Sequence, residues 1–359
     1  MSRAVAEHRT GIRAVLRRAI PSPGRAFPGL AFGVLADLCV VGLLALSMWL
    51  IVRSAEQPPI LHLTFAVVGV RALAIGRAAL RYAERVASHE AALQQLATLR
   101  ASTFEALIPR VPGAIESERR GDVLAAFVDD VDQLQDEPLR VRQPLVVSAV
   151  VVGLSVILLA LISPLSASIL AATLLLFGSL AVWISHRIAA TSDRELAAAR
   201  AALTDALLER FSAAEALAAF GAEARQRARI TQAEDRLSAV QLARSRAAGL
   251  TGALLSLGAG LATVLILLAI VPSLGQSVSA PLAAAAIIVP AAVFEVFAQV
   301  PAALVARRAV TASAGRVAAL TESALPAEIP VDPADPVDPG DFASLIPDQA
   351  TADEAGAVI

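Results

Sequence analysis

Arg71, Arg81, Tyr82, Arg85 and His89 lie within one short stretch of the chain. If that stretch is helical, the 18 residues from Arg71 to His89 make five full turns. Both side chains then leave one face, roughly 27 Å apart along the axis. Tyr82 falls within about 20° of that face and Arg85 within about 40°. Arg81 and Arg85 are one turn apart, as are Arg85 and His89. A stripe of this composition suits an amphipathic anion with a flat apolar body. Arginines pair with carboxylates, a tyrosine packs against a ring, and a histidine can ligate iron. The same residues also suit a structural role, with Arg77, Arg81 and Arg85 anchoring a helix at a membrane surface and His89 held by a local hydrogen bond.

Asp37 and Glu295 are acids inside apolar blocks. An acid at such depth faces a partner charge or a functional cavity. Either could neutralise Arg71 or meet a substrate, with Asp37 expected in the outer third or middle of its span. His62 reads as interfacial and His186 as a span end.

Other chemistries are excluded. All 30 basic residues are arginine. With no lysine in the sequence there is no phosphate-binding loop of the G-x-x-x-x-G-K-[ST] kind. Cys39 is the single cysteine, which removes disulfide and Cys-x-x-Cys chemistry and reads as a small buried hydrophobe. No Ser/His/Asp or Cys/His catalytic set is visible. Asp129, Asp130, Asp132 and Asp136 match no calcium loop and read as a solvated helix face, so no metal site is assigned. Arginine concentrated beside apolar blocks, with few aromatics, argues against nucleic-acid binding.

The elements that must position these residues are membrane helices. The chain is 57% hydrophobic and only 17% charged, and its apolar residues gather in six blocks of spanning length. The spans read as about 30–52, 60–80, 145–162, 165–185, 247–271 and 278–306. Arginine is concentrated in 1–29, 77–142, 186–246 and beyond 306, whereas the other three connections hold only Arg53. The positive-inside rule then places both termini in the cytoplasm. The first apolar block is too long and too far from the start for a signal peptide. Residues 1–29 read as an amphipathic helix on the membrane surface.

The inner connections read as helix rather than loop. No proline occurs from Ile60 to Ile108, or between Pro164 and Pro272. At 1.5 Å per residue the first stretch alone runs roughly 70 Å, well beyond the hydrocarbon core. Breaks are expected at Pro109–Gly113 with Gly121, and around Gly221, giving two helical hairpins outside the bilayer. Pro290 and Pro301 should kink the last span. Residues 321–359, acidic and proline-rich, read as an extended tail.

Two segments are more specific. Residues 69–90 read GVRALAIGRAALRYAERVASHE, and residues 121–144 read GDVLAAFVDDVDQLQDEPLRVRQP. Both resemble the CydC side of the heterodimeric CydDC thiol-reductant ABC exporter family. Its pattern is close to G-V-R…R-Y-x-E-R-x-x-S-H-D, then G-D-L-L-x-R-x-x-x-D-V-D-x-L-Q-D…L-R-V…P. The AVFEVF run around Glu295 is similar to that family's last span. Glu90 stands where the family has Asp, and Ala126 where it has Arg.

The resemblance implies an all-α, six-helix type I exporter transmembrane domain over residues 30–320, with long cytoplasmic helical extensions. It implies a bacterial plasma-membrane protein that pairs with a CydD-like six-span half. ATP would be bound and hydrolysed by ABC ATPase domains, none of which lies within these 359 residues. Coupling tips are expected near 112–120 and 212–221, including Glu116, Arg120, Gly121, Glu215 and Gly221. The implied cargo is a thiol (cysteine or glutathione) or haem, in support of cytochrome bd assembly. For haem, His89 becomes the candidate axial ligand, with Tyr82 against the ring and Arg81 and Arg85 near the propionates. Arg71, Asp37 and Glu295 become substrate-pathway residues. A haem-binding assembly scaffold without transport is the alternative.

Overall fold

The computed structural model describes residues 2–108 and 126–321. Nine helices are named: α1 Ser2–Arg18, α2 Pro23–Ala55, α3 Ile60–Leu107, α4 Gln143–Ile162, α5 Pro164–Ser212, α6 Ala214–Ala219, α7 Glu223–Ile270, α8 Ala280–Phe297 and α9 Gln299–Thr321. Two π-helical turns, Ala126–Asp130 and Glu137–Arg142, lead into α4. The protein is an all-α multi-pass membrane protein, with six stretches long and apolar enough to cross a bilayer. The sixth is α8 continued into α9.

Helix boundaries follow proline and glycine chemistry. The three long helices, α3, α5 and α7, contain no internal proline. Prolines instead start helices, as at Pro23 and Pro164, where a missing N–H is harmless. Ser163 caps α5, its hydroxyl accepting from the Ser166 N–H at 3.3 Å. Gly221 and Gly275 take positive φ, +61° and +76°, and turn the chain after α6 and before α8.

α2 packs along α3, and α5 along α7. α8 contacts α2, α4 and α7, and so ties the two hairpins together. One apolar core is built from α4, α5, α7 and α8 around Leu170, Ile266, Ala286 and Val293. It depends on missing side chains: a Cβ at Gly258 would stand 2.8 Å from Phe177 and Phe294.

A second core lies at the arginine-rich end, and it corrects two expectations. The first is that α1 lies on the membrane surface. Its apolar face instead packs on protein, with Val15 and Ala19 buried among Leu96, Leu99, Val131, Leu134, Val310 and Val317. An amphipathic face finds either lipid or protein, and here it finds an apolar groove made by α9 and α3. The second is the solvated acidic face. Asp130 is buried; Arg316 Nε donates to it at 2.7 Å and the Ser313 hydroxyl at 2.9 Å. Asp132 accepts from Arg100 at 3.0 Å. The acids therefore fasten the segment before α4 to α9 and α3. Among the described residues there is no cluster fit for a metal ion.

The last span breaks at only one of the two prolines expected to kink it: α8 runs through Pro290 without interruption, and the break comes before Pro301. α8 ends at Phe297 and α9 begins at Gln299. Pro301 cannot donate to the carbonyl of Phe297, so the ladder opens there. Ser148 of α4 donates to the nearby Val296 carbonyl at 3.1 Å, satisfying an acceptor beside the break. The first hairpin tip, with Glu116, Arg120 and Gly121, lies outside the described residues.

Candidate functional site

The antiparallel register of α2 and α3 decides which charges meet. Leu46 sits against Gly69, Gly42 against Leu73, Cys39 against Gly76, Gly33 against Glu84 and Gly29 against Ser88. These pairs advance in opposite directions along the two helices, so Asp37 falls level with Arg81. Arg81 Nη2 donates to Asp37 Oδ1, and Arg81 Nη1 stands 3.7 Å from Glu84 Oε2. Gln143, at the start of α4, donates from Nε2 to Glu84 Oε1. Asp37 is 2% exposed, and its Oδ2 has no partner among the described residues. One guanidinium thus crosslinks two buried acids, and α4 joins through an amide.

The expected neutralisation of Arg71 by Asp37 or Glu295 does not occur. Arg71 is exposed and lies near the levels where Leu46 and Gly42 face α3, more than two turns from Asp37. Asp37 is correspondingly nearer the arginine-rich end than the outer third or middle of its span. Cys39, half-buried against Gly76, is the small packing group expected.

A cleft of about 580 Å³ opens between α2, α3 and the α8–α9 bend. Asp37, Arg77, Arg81, Tyr82, Arg85, Glu295 and Gln299 line it. The structure therefore brings together six residues singled out from the sequence. Arg81 is committed to its ion pair, whereas Arg77, Arg85 and Glu295 form no ion pair among the described residues. Cationic and anionic groups thus face one space, and Tyr82 beside them is 72% exposed. Two candidates lie outside this lining. Arg71 is above it, and His89 is one turn beyond Arg85 on the same exposed face. His89 Nδ1 is 3.0 Å from the Arg85 carbonyl. A carbonyl only accepts, so the contact is a hydrogen bond when Nδ1 carries the proton, and in that neutral tautomer Nε2 keeps its lone pair.

The second tip is the short helix α6, with Glu215 in its first turn and Gly221 closing it. It is solvent-facing, and Phe211 and Phe220 beside it are 76% and 84% exposed. Below it, Arg229 and Gln226 of α7 bond to Glu209 of α5.

Sequence reasoning missed Glu84, Gln143 and Ser88, and the glycines that let α2 meet α3. The signal was present. Gly29 and Gly33 are four apart, the spacing with which small residues let membrane helices approach, and Glu84 follows Arg81 by one turn. A Cβ at Gly29 would stand 2.4 Å from Ser88 Oγ.

Comparison with known proteins agrees with this architecture. Residues 35–287 match the ABC transporter transmembrane region. The chain belongs to that family. It is 31% identical over 299 residues to the glutathione/L-cysteine transport system ATP-binding/permease protein CydC of Escherichia coli, covering 82% of this chain and 52% of that one. It is 34% identical over 136 residues to the CydC protein of Haemophilus influenzae, covering 36% of this chain and 24% of that one. Similarity extends to a CydD protein of Bacillus subtilis, 29% identical over 167 residues, covering 45% of this chain and 29% of that one. The chain thus spans about half the length of the Escherichia coli relative and a quarter of the Haemophilus one. The resemblance read from residues 69–90 and 121–144 is borne out.

Proposed function

We propose, with that family membership as premise, that this chain is the transmembrane half of an ATP-driven exporter for small thiol-bearing zwitterions such as cysteine or glutathione. The observation that carries the proposal is the two-signed cleft. Arg77 and Arg85 offer donors to a carboxylate, and Glu295 offers an acceptor to an ammonium group, all in one space. A small zwitterion uses both, whereas an uncharged apolar cargo would use neither. The relatives' names, which mention glutathione and L-cysteine, point the same way.

In this reading both termini and the arginine-rich end face the cytoplasm of a bacterium, and the spans cross its plasma membrane. A CydD-like half closes the open side of the cleft. ATP is bound and hydrolysed by a domain outside these 359 residues, which seats on α6. Its strokes reach the cleft through the α5 and α7 helices, and the α8–α9 bend lets Glu295 and Gln299 reorient. The test is ATP hydrolysis by whatever co-purifies with the tagged chain from its native membranes. Activity stimulated by cysteine or glutathione, and lost on Phe220→Asp at the tip, supports the reading. Absence of any ATPase partner overturns it.

A second reading is favoured by His89. Its Nδ1–H is spent on the Arg85 carbonyl, which presents Nε2 outward. Tyr82 and Arg85 share its exposed face. These residues fit haem: His89 would ligate the iron, Tyr82 pack against the ring, and Arg85 meet a propionate. Haem bound there would be a ligand of an exporter or of a non-transporting scaffold for cytochrome bd assembly. A Soret shift on haem titration that disappears in His89→Ala supports it; an unchanged spectrum removes the assignment.

A further inference from the structure

A second cavity, of about 460 Å³, lies further along α3 than the two-signed cleft, against Ser88 and Ala91. Its walls are the elbow between α1 and α2, the middle of α3, and the turn that starts α4. Ile20, Ala26, Phe27, Leu30 and Leu139 make it largely apolar, and Arg17 and Arg142 are its cationic groups. Phe27, 68% exposed, presents an apolar ring at the cavity. Ser88 is 9% exposed and lines the same cavity, and its hydroxyl has no hydrogen-bond partner among the described residues. The start of α2, with its positive dipole end, opens into the cavity as well.

The level of the cavity matters. Pro23 begins the first spanning helix, Gln143 begins the third, and Ser88 and Ala91 lie just beyond the apolar part of the second. Three spans therefore reach the membrane surface here, at the arginine-rich end. An apolar wall open toward the bilayer, topped by two guanidinium groups at headgroup depth, matches a phospholipid of negative charge.

We infer that this cavity is a site for one anionic phospholipid of the arginine-rich leaflet. Arg17 and Arg142 hold the phosphate, and an acyl chain runs down Phe27 and Leu30 into the bilayer. A lipid seated there staples α1, α2, α3 and α4 together beside the second core. The inference is independent of the exported cargo and of the state of the α3–α8 cleft.

The test uses the full 359-residue chain, delipidated in detergent, with native mass spectrometry against phosphatidylglycerol and phosphatidylcholine. Phosphatidylglycerol should bind about tenfold more tightly than phosphatidylcholine. Arg17→Gln combined with Arg142→Gln should remove that preference, and Arg140→Gln, a neighbouring arginine outside the cavity, should leave it intact. Ala26→Trp, which fills the cavity, should weaken binding of both lipids. Equal binding of the two lipids, or undiminished preference in the double arginine variant, would overturn the inference. Complete displacement of phosphatidylglycerol by millimolar inorganic phosphate would also overturn it, since the site would then recognise a free anion.

Discussion

The two helical hairpins of this molecule are joined by different chemistry. The α2–α3 pair buries Asp37, Glu84 and Ser88 and spends one arginine on the two acids. Along its apolar part the α5–α7 pair meets through Leu170, Leu174, Ala181, Ala262 and Ile266, with one hydroxyl pair, Ser185 and Thr251 at 3.2 Å, at its inner end; its ion pair, Arg229 with Glu209, lies outside that part, next to α6. In a bilayer, apolar packing alone is enough to hold helices, so buried charge in one hairpin calls for a reason other than adhesion. The charged hairpin is also the one that borders the two-signed cleft. The apolar one ends in the exposed α6 tip. Under the proposed function, the first hairpin would recognise cargo and the second transmit displacement from the tip.

That contrast can be broken most sharply at Arg81. Arg81→Ala leaves Asp37 buried and unpaired, and should destabilise the protein by about 3–5 kcal/mol. Denaturant unfolding in detergent would measure this, and adding Asp37→Ala should return part of the loss. A smaller effect is expected where glycine permits close packing of the apolar hairpin. Gly258→Leu drives side-chain atoms into Phe177 and Phe294, a strain of about 1–3 kcal/mol. Gly260→Leu, one step round the same helix and facing open space, should change stability by less than about 0.5 kcal/mol. At the tip, Gly221→Val forces a β-branched residue into positive φ, at about 1–2 kcal/mol. It should lower coupled ATP hydrolysis while leaving thiol binding in the cleft unchanged. The least effect on stability, within about 0.5 kcal/mol, is expected for His89→Ala, since His89 is exposed; the same variant should lose any haem-dependent Soret shift.

Much of the fold was legible because bilayers and prolines impose strict rules. The absence of proline from 60 to 108 and from 165 to 271 foretold α3, α5 and α7 almost to their ends. Pro301 foretold the bend after Phe297. The stripe on α3 was legible from its period, and the structure brings Arg77, Arg81, Tyr82 and Arg85 into one cleft with Asp37 and Glu295. What could not be read was the choice among partners. The sequence reading pairs Asp37 with Arg71, and only the α2–α3 register, set by contacts such as Gly33 against Glu84, selects Arg81 instead. The seat of α1 was hidden for a similar reason. Ile12, Val15, Leu16 and Ala19 declare an apolar face, but the protein groove that receives it is made by Leu96, Leu99, Val310 and Val317, far off in sequence.

The central claim is best tested by transport itself. Inverted membrane vesicles carrying the chain with its co-expressed ATPase-bearing partner should accumulate labelled glutathione or cysteine when ATP is supplied. Replacing Arg85 and Glu295 by alanine should reduce that accumulation at least tenfold, whereas Arg140→Ala should leave it unchanged. Accumulation that is the same in vesicles lacking the chain, or indifferent to Arg85 and Glu295, would contradict the assignment of the α3–α8 cleft as the path of a zwitterionic thiol.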